Sequence, residues 1–485
     1  MATVAHFDKL LRPKRVAVIG VSLTNPFHPA NIIFNKSFYG SGSMAYPVNP
    51  RGGELEKQPV FRSVKELPEQ ADLAVIAVKA PLVPGVIREC GEVGIQAAII
   101  ISGGFAEVGG EGIALQEELV KECRRYNICM IGPNCIGVYH PPYIDSFFLP
   151  PERTVIPKRG AISVISQSGA FLVDQILTRF YEEDLGVRTA VSIGNRAVLD
   201  EVDMLEHFAQ DTGTRAICLY LEGAGTRPRE LYELCSEVSS RKPIIAFVGG
   251  KSVEGQRAAL SHTAALAANS RLISSALAQC GVIEAADELE LASLAKIFDF
   301  YHHRPLLEGN IAVVSSSGGH GVVAADLCEG TGLNLVPFTE GEQGTLRELC
   351  TDSISSIASL KNPLDLTGSA SDLDFERTLD YVLSLPKVEG AIVLALPYTP
   401  MITSFIGTRL GHVVRRHDKP VAAYIPSLAK YEMVLEGFEL NGIPVVHTIQ
   451  ESVQMMQALY RLGLAVQRSG RKRKNHAVRN NQAAK

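Results

Sequence analysis

One pattern recurs along the 485 residues: short, almost uninterrupted apolar runs, each followed by a turn of small residues and a longer amphipathic segment. Runs of this length that are rich in Val and Ile are typical of strands buried on both faces of a parallel sheet. The pattern predicts an α/β chain with three doubly wound parallel-sheet domains. The runs are VAVIG from Val16, LAVIAV from Leu73, AAIIIS from Ala97, AISVIS from Ala161, AICLYLE from Ala216, PIIAFVGG from Pro243, IAVVSSS from Ile311, AIVLALP from Ala391 and PVAAYIP from Pro420.

Breaks in this pattern predict where the domains end. A proline-rich segment at 141–157 and a polar segment at 302–309 interrupt the alternation. The last residues have no hydrophobic periodicity and are rich in Arg and Lys, which favours a disordered basic end over an interaction arm. We therefore expect domains at 1–145, 146–303 and 304–466, and a basic disordered tail at 467–485.

Composition limits the classes of function. The formal net charge of −5 argues against nucleic acid as the main partner. No stretch approaches the roughly 20 consecutive apolar residues that span a bilayer, and the first residues lack the apolar segment of a secretory signal. The nine cysteines are scattered without a CxxC pair, so we expect reduced thiols, no metal site and a cytoplasmic protein.

The turn after the first run predicts a site for a nucleotide-like ligand. Gly20 closes VAVIG, and the chain then leads into a helix whose N-terminal N–H groups suit a diphosphate. A dinucleotide fingerprint would need further glycines, but Ser22, Asn25 and His28 occupy this turn. An NAD-dependent dehydrogenase is therefore a disfavoured alternative.

Five segments, in matching order and spacing, resemble the CoA-binding domain of the succinyl-CoA synthetase superfamily. They are VAVIGVSLTNP, YPVNPRGGE, AVKAP, ISGGFAE and GPNCIG. The resemblance implies a Rossmann-like domain in which Arg51 and Lys79 are cations for the CoA phosphates; for Lys79 the alternative is a solvated surface lysine. We interpret Cys135 as a buried structural thiol, since no activating base is adjacent in sequence. The implied CoA-binding residues are Gly20, Ser22, Asn49, Pro50, Arg51, Val78, Lys79, Pro81, Ser102, Gly103 and Asn134.

The segment GKSVEGQRAALSHTAALAA resembles the phosphohistidine loop of the same superfamily, with His262 at the phosphorylated position. A neutral imidazole is a good nucleophile near neutral pH, and its phosphoramidate can pass the phosphate on. Glu222 matches the family glutamate that contacts this histidine, the alternative being a solvated charge at a strand end. Relatives usually carry glycine where this chain has Ala264 and Ala268, which bears on how freely the loop moves.

The resemblance also implies a phosphate cradle made by two helix starts. One start carries Gln167, Ser168 and Gly169, and the other carries Gly318 and Gly319. Gly194 and Asn195 resemble a family turn near the acyl phosphate. We interpret His320 as a turn residue rather than a second phosphate carrier, and Asp365 as a capping or salt-bridge residue.

Over residues 8–465 the domain order resembles the α subunit of ADP-forming acetyl-CoA synthetases, with two flavodoxin-like ligase domains after the CoA-binding domain. No segment resembles an ATP-grasp domain or a GxxxxGK[ST] loop. The resemblance therefore implies a separate ATP-grasp β subunit that holds ADP or ATP with Mg²⁺, in an α2β2 heterotetramer. The substrate would be a small carboxylic acid or its acyl-CoA. The alternative is a catalytically silent CoA-sensing or scaffold subunit.

Overall fold

The computed structural model describes residues 3–40, 42–223, 225–255, 257 and 270–483. Each apolar run of the sequence contains a strand, and the strands form three mainly parallel sheets, which confirms the predicted α/β class. The chain divides into two compact units, Met1–Val238 with Ile244–Ala292 and Ser239–Pro243 with Ser293–Lys485. Among the described helices, none combines the length and apolar character needed to cross a bilayer.

The first sheet lies in the first unit and has the strand order β2-β1-β5-β6-β7, all parallel, with a small β3–β4 hairpin beside it. Its inner strands are buried along their whole length, which explains their continuous apolar sequence. The bounds are β1 (Arg15–Ile19), β2 (Met44–Val48), β3 (Gly53–Leu55), β4 (Gln58–Val60), β5 (Leu73–Ile76), β6 (Ala97–Ile100), β7 (Cys129–Ile131), α1 (Val4–Leu11), α2 (Pro29–Gly40), α3 (Val83–Glu92) and α4 (Glu111–Arg125).

The second sheet, also in the first unit, has the order β14-β13-β12-β10-β11-β8-β9. The helical segment after β10 has three parts. A short α-helical start is followed by a π-helical part at Leu172–Leu177 and then by a second α-helical part. The bounds are β8 (Val138–His140), β9 (Ile144–Asp145), β10 (Arg159–Ser166), β11 (Val187–Ser192), β12 (Ala216–Leu221), β13 (Ile244–Val248), β14 (Ile283–Ala285), α5 (Gly169–Phe171), α6 (Thr178–Glu182), α7 (Glu201–Gln210), α8 (Pro228–Val238), α9 (Ser270–Gln279) and α10 (Glu288–Tyr301).

Two strands of this sheet lie before the expected domain boundary at residue 145. β8 pairs antiparallel with β11, and β9 pairs antiparallel with β8, so both belong to the second sheet although the sequence places them in the first domain. The chain crosses to the second sheet directly after Gly137, before the proline-rich segment. One buried apolar cluster extends from Phe7 to Val282 through both sheets, which accounts for their behaviour as one unit.

The third sheet lies in the second unit, with the order β16-β15-β18-β19-β20 and β17 paired to β15, all parallel. A separate buried apolar cluster fills this unit. The bounds are β15 (Asn310–Ser315), β16 (Asn334–Leu335), β17 (Leu364–Asp365), β18 (Gly390–Leu394), β19 (Val421–Tyr424), β20 (Val445–Val446), α11 (Gly318–Cys328), α12 (Glu340–Leu349), α13 (Asp372–Ser384), α14 (Ile406–His417), α15 (Glu432–Glu439) and α16 (Ile449–Ala483).

Helix α16 differs from the disordered tail expected at 467–485. Its backbone is helical up to Ala483. The segment contains no proline and many Arg, Lys, Ala and Gln residues, all of which have high helix propensity. A segment without hydrophobic periodicity can therefore still be helical. Periodicity reveals only those helices that pack one apolar face against the protein.

Candidate functional site

The first candidate site is a cavity of about 1300 Å³ at the carboxyl ends of the first sheet's strands. β1 lies between β2 and β5, so the order of strands reverses at β1, where ligands of open α/β sheets commonly bind. His28 and Pro29, at the start of α2, line the same cavity. Nine residues predicted to bind CoA line it: Gly20, Ser22, Asn49, Pro50, Arg51, Val78, Lys79, Ser102 and Gly103.

The backbone after β1 is held in a shape that leaves the cavity open. Gly20 has a φ of +101°, and a Cβ there would collide with the carbonyl oxygen of Ala77. Ser22 is held on both sides by Asn31, whose Oδ1 accepts from the Ser22 N–H (2.6 Å) and whose Nδ2 donates to the Ser22 carbonyl (2.8 Å). Asn31 is 1% exposed and was missed at the sequence level, because its partner lies nine positions away.

Three exposed cations line this cavity: Arg51, Lys79 and Arg62. Within the described part of the chain, none of them forms a salt bridge with a carboxylate, so their charge is available to an anion. Arg62 was missed, since it follows a short hairpin strand without a distinguishing motif. Asn49 shapes the loop by donating from Nδ2 to the Val21 carbonyl (2.6 Å).

Two predicted CoA-binding residues lie elsewhere. Pro81 is exposed in the short helical turn Ala80–Leu82 and is not among the residues that line the cavity. Asn134, with a φ of 57°, lies in the turn after β7 and lines a second cavity. Their predicted contacts with CoA remain predictions.

The second cavity has a volume of about 720 Å³ and adjoins the first, because Ile101 and Phe148 line both. It brings together loops of the first and second sheets. Arg153, which the sequence did not suggest, adds a cation to its wall. The predicted residues found here are Asn134, Gln167, Ser168, Gly169, Gly194 and Asn195.

The turn after β10 supplies the polar wall of the second cavity. Gln167 is 4% exposed, and its Oε1 accepts from the Glu222 N–H (2.9 Å), which joins the ends of β10 and β12. Ser168 caps the helical segment, its Oγ accepting from the Phe171 N–H (3.3 Å). The phenyl ring of Phe171 stacks on Tyr220 with centroids 4.1 Å apart. These contacts fix the helix start that the sequence predicted to hold phosphate.

Glu222 lies half-buried at the end of β12, where its Oε1 accepts from the Tyr220 hydroxyl (3.3 Å). Burial raises the pKa of the Tyr220 phenol, and the neighbouring Glu222 carboxylate raises it further, so this hydroxyl remains a donor at neutral pH. His262, together with Ala264 and Ala268, lies outside the described residues. Contact between Glu222 and His262 therefore remains a prediction.

The second predicted helix start lies in the second unit. Gly318 and Gly319 begin α11 directly after β15. Asp365, at the end of β17, reaches this start: a Cβ on Gly318 would lie 2.8 Å from its Oδ2. Oδ1 of Asp365 accepts from the Thr367 N–H (2.9 Å), which closes a local turn, so its capping or salt-bridge role stays a prediction. His320 packs on the ring of Tyr424, with centroids 5.8 Å apart.

The thiols of this chain lie in its interior. All nine cysteines are buried and none belongs to a disulfide. Cys135, next to Asn134, donates from Sγ to the Ile100 carbonyl (3.3 Å), and burial raises its pKa to about 12. It is therefore a protonated structural thiol at neutral pH, which agrees with the interpretation from sequence.

Comparisons with known proteins agree with this arrangement. Residues 14–141 match the family model for a CoA binding domain, and residues 159–298 match that for a succinyl-CoA ligase like flavodoxin domain. The chain is 34% identical over 467 residues to the acetate–CoA ligase [ADP-forming] I subunit alpha of Pyrococcus furiosus, covering 94% of this chain and 97% of that protein. It is 30% identical over 458 residues to the 4-hydroxybutyrate–CoA ligase [ADP-forming] of Nitrosopumilus maritimus, covering 93% of this chain and 64% of that protein.

A solved structure is also similar over nearly the whole chain. It is the dinucleotide-forming acetyl-coenzyme A synthetase 1 of Ca. Korarchaeum cryptofilum in complex with phosphate and ADP, at 30% identity and a TM-score of 0.86. The alignment covers 96% of this chain and 99% of that chain.

A Rossmann-like CoA-binding domain followed by succinyl-CoA-ligase-like flavodoxin domains defines the class of α/β proteins to which this chain belongs. Within that class, its near-complete match to α subunits is decisive. The chain belongs to the family of NDP-forming acyl-CoA synthetases, as an α subunit, and the resemblance found in the sequence is confirmed.

Proposed function

We propose that this chain is the CoA-binding subunit of an ADP-forming acyl-CoA synthetase, an acid–thiol ligase. The reaction is acyl-CoA + phosphate + ADP ⇌ acid + CoA + ATP, with His262 carrying the phosphoryl group. The observation that carries the proposal is the pair of adjoining cavities, one lined by free cations and the other by the Gln167–Gly169 turn. A CoA molecule in the first cavity would extend its thiol past Phe148 into the second.

The first cavity fits the polar part of CoA. The open turn at Gly20 and the start of α2 suit the diphosphate. Arg51, Arg62 and Lys79 are available to neutralise its phosphate charges. Neutral side chains dominate the second cavity, which suits a thioester and its acyl phosphate.

The chemistry in the second cavity would proceed in two transfers. An oxygen of inorganic phosphate attacks the thioester carbonyl carbon, the C–S bond breaks, and the CoA thiolate leaves and takes up a proton. A ring nitrogen of His262 then attacks the phosphorus of the acyl phosphate, and the carboxylate leaves. Asn134 and Ser168 line this cavity, and in the proposed reaction they would donate hydrogen bonds to the developing oxyanion and to the phosphate.

His262 would need a fixed tautomer and a stabilised charge once phosphorylated. The Glu222 carboxylate supplies both if it accepts a hydrogen bond from the ring. Gln167 holds the Glu222 backbone, and Tyr220 donates to its carboxylate. Gly318 and Gly319 begin α11 in the second unit, and their part in holding phosphate stays a prediction from sequence.

The last transfer, from phosphohistidine to ADP, would take place on a separate ATP-grasp β subunit. The chain covers 97% of an α subunit but 64% of the 4-hydroxybutyrate–CoA ligase, whose name has no subunit label. The remaining length of that relative has room for such a partner. Mg²⁺ would accompany ADP or ATP there, and we propose an α2β2 heterotetramer in the cytoplasm.

The test is to look for phosphate on His262. The chain and its native partner are incubated with inorganic phosphate and acetyl-CoA, isobutyryl-CoA or phenylacetyl-CoA, then examined by mass spectrometry under conditions that preserve phosphohistidine. We expect an acid-labile phosphate on His262 that disappears on adding ADP and Mg²⁺. His262→Ala should carry none, whereas His320→Ala should behave as wild type. CoA binding without any labelling would instead favour a silent CoA-sensing subunit.

A further inference from the structure

A carboxylate that the two-transfer scheme does not use lies beside the second cavity. Glu107 follows β6 and is half-buried, in the first sheet's part of the unit. Its Oε1 accepts from the N–H groups of Gly104 (2.5 Å) and Phe105 (3.2 Å). Its Oε2 accepts from Nδ2 of Asn195 (2.5 Å), which belongs to the second sheet's part. Glu107 thus connects the CoA-binding domain with the adjacent ligase domain at the edge of the cavity.

The backbones of the two loops already meet without Glu107. The Asn195 N–H donates to the Pro133 carbonyl (2.9 Å), and the Ala197 N–H donates to the Gly132 carbonyl (3.2 Å). Gly194 has a φ of +54°, and a Cβ there would collide with the Pro133 carbonyl oxygen. The main chain therefore fixes where the loops lie, and what remains for Glu107 is the orientation of the Asn195 amide.

Two acceptors determine that orientation. Nδ2 of Asn195 donates to Glu107 and also to Oε1 of Gln116 (2.9 Å). These two bonds use both N–H groups of the Asn195 amide. Oδ1 of Asn195 then faces the opposite way, where it accepts from Nδ2 of Asn134 at 3.4 Å. Asn134 is exposed and has one further N–H for a ligand in the cavity.

The charge state of Glu107 suits this arrangement. Burial raises its pKa, but the hydrogen bonds from Asn195 and from the Gly104 and Phe105 amides outweigh burial, so the net pKa is lowered. Glu107 is therefore ionised at neutral pH, and its carboxylate can only accept hydrogen bonds. A protonated or amide side chain would place a donor against Asn195.

We infer that Glu107 is a positioning residue for acyl transfer: through Asn195 it orients the Asn134 amide so that Asn134 donates to the thioester carbonyl or the acyl phosphate. This inference rests on the proposed function and adds to it a relay of hydrogen bonds that crosses between domains. The relay is Glu107 to Asn195 to Asn134, and it ends in the cavity lined by Gln167 and Ser168.

Glu107→Gln tests the inference with little change in volume. The oxygen of the introduced amide can still accept from Gly104 and Phe105, but its NH₂ group would then face Nδ2 of Asn195, donor against donor. The Asn195 amide should turn over and point Nδ2 at Asn134. The complex of the chain with its partner is assayed for kcat, KM and CoA affinity, using inorganic phosphate and the acyl-CoA found active in the labelling experiment. We expect kcat to fall about 10- to 100-fold, with CoA affinity and thermal midpoint unchanged, because loss of a direct donor costs about 10²- to 10³-fold.

A second substitution separates positioning from simple damage. Asn195→Asp in the Glu107→Gln background reverses donor and acceptor: the introduced amide at position 107 donates to the introduced carboxylate at position 195, which still accepts from Asn134. The Gln116 amide, which accepts from Asn195 in the wild type, would have to turn over and donate to that carboxylate. We expect this double variant to regain at least about tenfold in kcat over Glu107→Gln, since the pair acts as one unit. A purely structural role for Glu107 would show no such rescue.

The outcomes are distinguishable from failure of the proposed function. A wild-type complex that turns over none of the three acyl-CoA compounds contradicts the proposed function itself. A wild-type complex that is active, with Glu107→Gln retaining its full kcat, contradicts only the inference about Glu107. A Glu107→Gln variant that loses CoA affinity or thermal stability to the same degree as kcat, without rescue by Asn195→Asp, also overturns it.

Discussion

At the scale of single residues, the turn after β1 depends on a position that tolerates no side chain. Gly20 combines a φ of +101° with a backbone neighbour, the Ala77 carbonyl, in the place of a Cβ. Both the conformation and the collision penalise any other residue. If the proposed CoA site is correct, this opening gives the CoA diphosphate access to the N-terminus of α2, and we expect the glycine to act on ligand affinity rather than on chemistry.

Gly20→Ala should therefore weaken CoA binding by about 10- to 100-fold, from about 1–3 kcal/mol of strain at this turn. The measurement is isothermal titration of the purified chain with CoA. Gly344→Ala is the matched control, because no atom lies within 4 Å of a Cβ there and the residue is inside helix α12. Equal CoA affinity of Gly20→Ala and wild type would show that the turn does not hold the phosphates.

The free cations of the first cavity predict a salt-dependent affinity. Arg62→Ala and Lys79→Ala should each reduce CoA affinity about 5- to 20-fold at low ionic strength, as expected for loss of a charge-assisted contact of about 1–2 kcal/mol. The loss should shrink as salt is added, because exposed charges are screened. Arg229→Ala is the control, since Arg229 is 89% exposed and paired with Glu233 on α8. Unchanged affinity in both cavity variants would contradict the assignment of this cavity to CoA.

At the scale of elements, the pattern of the sequence was sufficient for some parts of the fold and not for others. The inner strands were predictable because burial on both faces leaves a continuous apolar run. β8 and β9 were not, because VYH and ID are too short to show a period. β8 pairs with β11, far along the chain, and β9 pairs only with β8. The same limit applies to the site: Gly20 is visible next to a strand, whereas the Glu107–Asn195 hydrogen bond joins positions 88 apart.

Strand β8, in the antiparallel part of the second sheet, contains a buried histidine that makes local stability depend on pH. His140 is 2% exposed, and its Nδ1 lies 2.6 Å from the Thr189 Oγ1 of β11. Burial, together with the charges of Arg188 and Arg12 and against the opposing charge of Asp211, lowers its pKa to about 4. The folded state therefore favours the neutral ring over a wide pH range.

This lowered pKa determines how the stability of the folded β8 changes with pH. An unfolded or locally opened β8 binds a proton near pH 6.5, while the folded state does so only near pH 4, so stability falls as pH drops between these values. We expect hydrogen exchange of the β8 and β11 amides to accelerate relative to β12 when pH is lowered from 7 to 5, after correction for intrinsic exchange. His140→Gln should remove this pH-dependent difference. Equal protection of β8 at both values in the wild type would contradict the role of His140.

At the scale of the whole molecule, the two adjoining cavities to which we assign CoA and acyl transfer lie in one compact unit. Under the proposed function, the chain would supply two parts of a three-part reaction. The chain also matches an α subunit over 97% of that subunit's length. It covers only 64% of the 4-hydroxybutyrate–CoA ligase, which is therefore the longer protein. The proposed function therefore divides the reaction between subunits: acyl-CoA and phosphate would bind to this chain, and nucleotide would bind to the partner.

This division predicts how the isolated chain should behave. With an active acyl-CoA and inorganic phosphate, it should release CoA and form at most about one phosphohistidine per chain, because His262 has no acceptor for its phosphate. Added ADP and Mg²⁺ should produce no ATP until the partner subunit is supplied, after which turnover continues. CoA release and ATP are followed together by a thiol assay and a coupled assay, with His262→Ala as control. Sustained ATP formation by the chain alone would mean that it binds nucleotide itself, and the assignment of that site to a partner would then be wrong.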